Sequence, residues 1–318
     1  MRRCVITVGD LGEFGVVARI SGRLPQGPTI LLGPGDDAAM VSAPDGRVVV
    51  STDLLIEGRH FRRDWSSGYD VGRKAAAQNL ADIAAMGAVP TSIVVGLGMP
   101  PTLPVSWLDE LTDGFRDECA LVGASVAGGD ITRCDLVVIG VTALGDLQGR
   151  DPVTRSGAGP GDVVAVSGRL GYAAAGWALH EAGVSGEAFQ EALEGHRRPR
   201  PPYTSGPEAA ALGATAMLDV SDGLLQDLGH IAKASGVGLV LDPAAFAVGE
   251  PLLAAAKELG ADPLDWVLSG GEDHSLAATF PTKDGLPAHW RVVGDVVEGE
   301  GVQVSGRVYK SGGWDHFR

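Results

Sequence analysis

Aspartate stands beside glycine, or at the edge of an apolar run, at five places in this sequence: Gly35-Asp36-Asp37-Ala38, Ser51-Thr52-Asp53, Asp82, Gly128-Gly129-Asp130 and Asp219-Val220-Ser221-Asp222-Gly223. Taken singly, each is what a helix cap or a turn former looks like. Taken together, and nearly all Asp rather than Glu, they suit a hard cation. Mg²⁺ takes oxygen ligands, keeps several waters, and is held by a few carboxylates together with substrate phosphates. No G-x-x-x-x-G-K-[ST] loop occurs, nor an H-R-D or D-F-G set. Phosphate chemistry here would therefore be neither of the P-loop nor of the protein-kinase kind.

Other candidates carry two readings each. Lys74, Gln78 and Asp82 repeat every four residues along one helix face, flanked by Asn79. That stripe is either a solvated face or the lining of a site. Gly270-Gly271-Glu272-Asp273 is a hairpin or helix-exit turn, or a dense polar cluster at a site. Ser167-Gly168-Arg169-Leu170-Gly171 is a βα turn, or a set of backbone N–H groups offered to a phosphate. His60 and Trp314 are structural side chains or contacts to a ligand.

The elements that would position these residues are strands and helices in mixed order. Strands are expected around residues 48–52, 92–95, 136–139, 163–166 and 237–241, with Ser51-Thr52-Asp53 at a strand's end. Helices are expected over 70–86, 106–121, 172–182 and 224–234, each with Gly close behind. The fold class is α+β or mixed α/β, without strict βαβ alternation. A Gly-, Pro-, Ser- and Arg-rich stretch from Leu147 to Gly161 sets the boundary between a domain over 1–148 and one over 149–318. The formal net charge of −15 argues against nucleic acid as a partner, since that affinity comes from neutralising phosphates. Three cysteines, Cys4, Cys119 and Cys134, form neither a disulfide framework nor a zinc motif. Asp10 and Glu13 interrupt the N-terminal apolar run too early for a signal peptide, and no run is long enough to span a membrane. A cytoplasmic location is expected.

The motifs in order resemble one family. Gly35-Asp36-Asp37-Ala38-Ala39, the run Ser51 to Phe61, the run Asn79 to Ala88, Gly128-Gly129-Asp130-Ile131-Thr132, Thr154-Arg155-Ser156-Gly157-Ala158, Asp219 to Leu224, Ser269-Gly270-Gly271-Glu272-Asp273 and Trp314-Asp315-His316-Phe317 together look like the thiamine-monophosphate kinases, within the aminoimidazole ribonucleotide synthetase superfamily. The resemblance implies a two-domain α+β chain with an N-terminal mixed sheet that pairs with a partner's to make a homodimer, and a C-terminal α/β domain that completes the active site. It implies ATP-dependent phosphorylation of thiamine monophosphate to thiamine diphosphate, with several Mg²⁺ ions. By matching motifs, Asp37, Ser51, Thr52, Asp53, Asp82, Asp130, Asp219 and Asp222 carry over as metal residues. Gly129, Asp130, Arg155 and Ser221 carry over to ATP; His60, Glu272 and Trp314 carry over to the thiamine phosphate. Asp53, Asp82, Asp130 and Arg155 are the expected catalytic set. The family commonly continues Gly-Gly-Glu-Asp-Tyr-Glu-Leu, whereas Asp273 is followed here by His274-Ser275-Leu276. Transfer is expected to be direct and in line, because a phosphate monoester is already largely ionised at pH 7 and needs no strong base.

Overall fold

Apolar periodicity sets the element order in the computed structural model, which describes residues 6–34 and 38–307. The chain divides into two compact units, residues 1–83 with 89–149 and residues 84–88 with 150–318. The first carries α1 (Val8–Ser21), β1 (Ile30–Leu32), β2 (Met40–Val41), β3 (Val49–Ile56), α2 (Gly68–Ala85, its last two residues belonging to the second unit), β4 (Val89–Met99), α3 (Val105–Ala120), β5 (Ser125–Arg133) and β6 (Val138–Asp146). Four of these strands form a mixed sheet in the order β3-β6-β4-β5, with only β4 and β5 parallel.

Strand β3 runs past Asp53, contrary to the expected end there. Leu54, Leu55 and Ile56 go on pairing with Gly140, Ile139 and Val138, so the apolar run outlasts the polar triplet. Successive side chains point to opposite faces. Leu55 is 1% exposed, whereas Val50 and Leu54 are each 59% exposed. Ser51 and Asp53 thus share the covered face, and Thr52 shares the open one with Val50 and Leu54. Register extends this division across the sheet: Leu54 stands opposite Gly140, Gly140 opposite Gly96, and Gly96 opposite Asp130. Asp130 belongs to the open face.

Helix α2 is buried nearly all round. Ala75, Ala76, Ala77, Leu80, Ala81 and Ile83 have no exposed surface, and Lys74, Gln78 and Asn79 are buried with them. Of the two readings of its polar stripe, the solvated face is the one that fails. Small residues allow this depth. A Cβ on Gly72 would lie 2.1 Å from the Leu111 carbonyl of α3, and one on Gly114 would lie 2.3 Å from the Tyr69 carbonyl of α2. The two helices touch through bare backbone, which any side chain would force apart.

The second unit carries β7 (Val163–Ser167), α4 (Tyr172–Glu181), α5 (Gln190–Arg197), α6 (Ser205–Ala211), β8 (Ala216–Val220), α7 (Leu224–Ser235), β9 (Gly238–Leu241), α8 (Glu250–Leu259), α9 (Pro263–Ser269), β10 (Ser275–Phe280), β11 (Arg291–Val297) and β12 (Gly301–Val304). Its sheet runs β12-β9-β11-β7-β10-β8, antiparallel except between β9 and β12. Leu218, Val220, Leu228, Ile231, Leu239 and Leu268 lie in its main core, and β8 and β10 are buried along their whole lengths.

Gly72→Ala should cost about 1–3 kcal/mol through overpacking. Gly229 in α7 has open space around it and no left-handed backbone, so Gly229→Ala should be neutral or stabilising by up to about 1 kcal/mol. Thermal denaturation of the two variants should move the midpoint down for the first and not for the second.

Candidate active site

In the first unit, the residues gather where α2 meets the edge strand β3. Ser51 Oγ donates to Asp82 Oδ2 at 2.6 Å. The Asp53 amide donates to Asn79 Oδ1 at 3.0 Å, and Asn79 Nδ2 donates to the Ala75 carbonyl at 3.0 Å. Asn79 thereby joins the helix interior to the backbone of the aspartate it holds. Just beyond β3, His60 Nδ1 accepts from the Ile56 amide at 3.0 Å, which in the neutral ring leaves the proton on Nε2. The buried Lys74 Nζ donates to the His60 carbonyl at 3.0 Å. Ser51, Asp53, Asp82 and His60 are therefore brought to one end of the unit.

Two of the expected residues are not brought there. Thr52 Oγ1 donates to the Val141 carbonyl at 2.9 Å and accepts from Thr142 Oγ1 at 3.1 Å, on the open face. Asp130 lies on β5, the far edge of the sheet. Two strands separate it from Asp53, which is about 14 Å at the ordinary interstrand spacing. Gly129 beside it is a packing requirement, since a Cβ there would lie 2.0 Å from the Val95 carbonyl. A cavity of about 100 Å³ opens on this edge, walled by Val95, Leu97, Phe115 and Val126 and floored by Gly128, Gly129 and Asp130.

In the second unit, two loops lie backbone to backbone. One is residues 219–223, from the end of β8 onward; the other is 270–274, before β10. The Glu272 amide donates to the Ser221 carbonyl at 2.8 Å, and the His274 amide donates to the Val220 carbonyl at 3.0 Å. Glu272 and His274 both take left-handed backbone, with φ of 64° and 52°. The buried side chains of His274 and Asp219 meet at 2.9 Å between Nδ1 and Oδ2. Asp227 of α7 accepts from the Asp222 and Gly223 amides, at 3.0 Å each. Burial, and next the charge of Asp219, push the Asp227 carboxyl up to about 7. Glu272 Oε2 lies 3.7 Å from Nδ1 of the buried His196. Arg155 is exposed, on a segment whose Thr154 carbonyl accepts from the Met217 amide of β8 at 3.0 Å.

Of the amides after Ser167, those at the start of α4 are already taken. Asp273 Oδ2 accepts from the Gly171 amide at 2.5 Å, and Oδ1 accepts from the Ala173 amide at 2.9 Å. The chain's own carboxylate fills the place a phosphate would take at the start of α4, and the 270–273 cluster is a helix exit after α9. Burial pushes the Asp273 carboxyl up to about 7, against the two amides that lower it. Among the described residues, no three His, Cys, Asp or Glu side chains converge on one metal position. Asp37 and Trp314 lie outside the described residues. Asn79, Asp227 and His196 are supporting residues that sequence reasoning did not assign. Only Asp227 carries a local signal, an acid in the first turn of a helix.

The comparisons follow this geometry. The models "AIR synthase related protein, N-terminal domain" and "AIR synthase related protein, C-terminal domain" match residues 35–147 and 159–306. The thiamine-monophosphate kinase of Mycobacterium tuberculosis (strain ATCC 25618 / H37Rv) is 53% identical over 314 residues, which is 98% of this chain and 93% of that protein. The chain belongs to the thiamine-monophosphate kinase family. Among solved family structures, that from Stenotrophomonas maltophilia K279a is 35% identical with a TM-score of 0.81, over 93% of this chain and 97% of that one. The complex of AaThiL with AMPPCP and TMP is 29% identical with a TM-score of 0.80, over 99% and 100%. No described helix is long and apolar enough to cross a membrane.

Between pH 3.8 and about 7 the folded chain holds more proton at Asp273 than the unfolded chain does. Stability from that carboxyl is therefore lost as pH rises through the window. Asp273→Asn removes the titration, so its thermal midpoint should fall less between pH 5 and pH 8 than that of the parent.

Proposed function

We propose that this chain transfers the γ-phosphate of ATP to thiamine monophosphate, making thiamine diphosphate. The observation that carries this reading is the full-length match, 53% identical over 98% of the chain, to a protein of that activity. The first unit serves nucleotide, metal and dimer, and the second completes the site.

The donor chemistry fits Mg²⁺: carboxylate and hydroxyl oxygens, two of them brought together in Ser51 and Asp82, as suits an ion that keeps waters and substrate phosphates in its shell. Ser51, Asp53, Asp82 and Asp130 in the first unit, and Asp219 and Asp222 in the second, would hold it, joined by Asp37 on the resemblance alone. Bound there, the ions would supply positive charge that offsets the repulsion between carboxylates and substrate phosphates, which is roughly 4 kcal/mol per unit pair near 4 Å at a dielectric of 20. Thr52 could contribute only through its main chain, since its hydroxyl serves the open face. The apolar cavity against Gly129 suits the purine base of ATP. Exposed Arg155 suits its phosphates, and Ser221 lies beside that segment's partner strand β8. His60 offers an Nε2–H donor to the second substrate, and Glu272 complements the cationic thiamine rings. The phosphate of thiamine monophosphate is already ionised, so direct in-line attack needs orientation rather than a base.

The separation of Asp53 from Asp130 supports a homodimer whose site is shared. One ion cannot reach both edges of a four-stranded sheet. A second copy laid on the open face, where Val50, Leu54 and Val94 are exposed, could bring its β5 beside the first copy's β3. The cell compartment that fits this substrate pair is the cytoplasm.

Purified protein with ATP and Mg²⁺ should turn over thiamine monophosphate and leave free thiamine unchanged; comparable turnover of free thiamine would sink the reading. ATP made chiral at the γ-phosphorus should give inverted product, whereas retention would mean a phosphoenzyme. Asp53→Ala and Asp130→Ala should each be nearly inactive as pure proteins. Dissociated and mixed, they should recover about a quarter of parental activity, because random pairing gives half heterodimers with one intact shared site each. No recovery on mixing would mean that each chain uses its own pair.

A further inference from the structure

The carboxylate of Asp219 is buried, and one of its two oxygens is already engaged. His274 Nδ1 lies 2.9 Å from Oδ2, and both side chains are almost inaccessible, 8% and 6% exposed. An ionised carboxylate can only accept, so Nδ1 carries the proton. The histidine does not reach this place by chance of rotamer. Its backbone is held in the left-handed region, φ 52°, and its amide is tied to the Val220 carbonyl, one residue from Asp219. Non-glycine residues avoid that region unless the surroundings fix them there.

Resting on the metal reading of Asp219 given above, we propose that His274 is the positioning residue of that carboxylate: its Nδ1–H fixes the rotamer through Oδ2 and leaves Oδ1 to a divalent cation. The imidazole engages the carboxylate through one oxygen only, at 2.9 Å from Oδ2. Outer-shell partners of this kind change metal affinity when lost.

The test separates donor position from mere polarity. Asn at 274 puts Nδ2 close to where His carries Nδ1 and tolerates left-handed backbone. Gln is as polar but sets its amide near the place of Nε2. Mn²⁺ is titrated into the full-length chain without substrates, and free ion is read by electron paramagnetic resonance. Asp219→Asn identifies the ion that depends on this carboxylate. That site should weaken about tenfold in His274→Gln and stay within about threefold of the parent in His274→Asn. KM for thiamine monophosphate should be unchanged in both, while the Mg²⁺ concentration for half-maximal rate rises in His274→Gln alone. Parental Mn²⁺ binding in His274→Gln overturns the proposal, as does equal weakening in both variants. Should His274→Gln not fold, weakening in His274→Asn as severe as in Asp219→Asn overturns it. A parent that binds Mn²⁺ but leaves thiamine monophosphate untouched would instead fail the functional reading.

Discussion

A carboxylate that is to receive a cation must be held still without being neutralised first. A Lys or Arg at contact distance would hold it, but would also cancel the charge the cation needs. The aspartates proposed for the site are restrained here by a hydroxyl, an imidazole and an amide side chain rather than by guanidinium or ammonium groups. A serine hydroxyl reaches Asp82, an imidazole reaches Asp219, and the backbone of Asp53 is tied to an amide side chain. The guanidinium groups pair with other acids: Arg19 and Arg23 with Asp109, Arg73 with Glu118, and Arg116 with Asp113 and Asp117. With a net charge of −15, the chain has acids in excess of the basic groups that could pair with them.

Such restraints work only if the elements carrying them cannot move, and close packing supplies that. Asn79 can reach both Asp53 and Ala75 because α2 is sunk into its unit, and α2 sinks because it meets α3 backbone to backbone at Gly72 and Gly114. The abundance of Gly and Ala and the scarcity of aromatics thus bear on the site as well as on the core. Small residues bring backbones near, and near backbones fix short Asp side chains with little rotamer freedom left.

Much of this was legible in the sequence, and the illegible part has a physical cause. Local signals gave α2, α3, α4 and α7 to within two residues at each end, since a Gly stop and a 3.6-residue period are local properties, and they left α1, α5, α6, α8 and α9 uncalled. They ended β3 too early because Ser51-Thr52-Asp53 reads as a polar stop, whereas the strand is sustained by pairing with β6 some ninety residues away. The resemblance carried Asp53, Asp82 and Asp130 over together, but motif order carries no strand order. Only the sequence β3-β6-β4-β5 puts Asp130 at the far edge. Likewise nothing local shows that Asp273, about a hundred residues on, accepts from the Gly171 and Ala173 amides at the start of α4. His274 stood out only as a departure from the family pattern, and its partner Asp219 is fifty-five positions away.

The two loops of the second unit show what that long-range pairing accomplishes. Residues 219–223 and 270–274 are joined by Glu272 to Ser221, His274 to Val220, and His274 to Asp219. On the proposed assignment, the first loop faces metal and nucleotide, and the second presents Glu272 to the thiamine phosphate. A Cβ on Gly271 would lie 2.3 Å from the Ser221 carbonyl, so the loops have no slack between them. Movement of the first loop on binding Mg²⁺–ATP must then be passed to Glu272, or be resisted by it. On that assignment the two substrates share one mechanical element, and whatever coupling it carries acts equally in both directions. For a reaction that must place two anions in line at a metal, such sharing is a cheap source of alignment, since ordering one subsite orders the other.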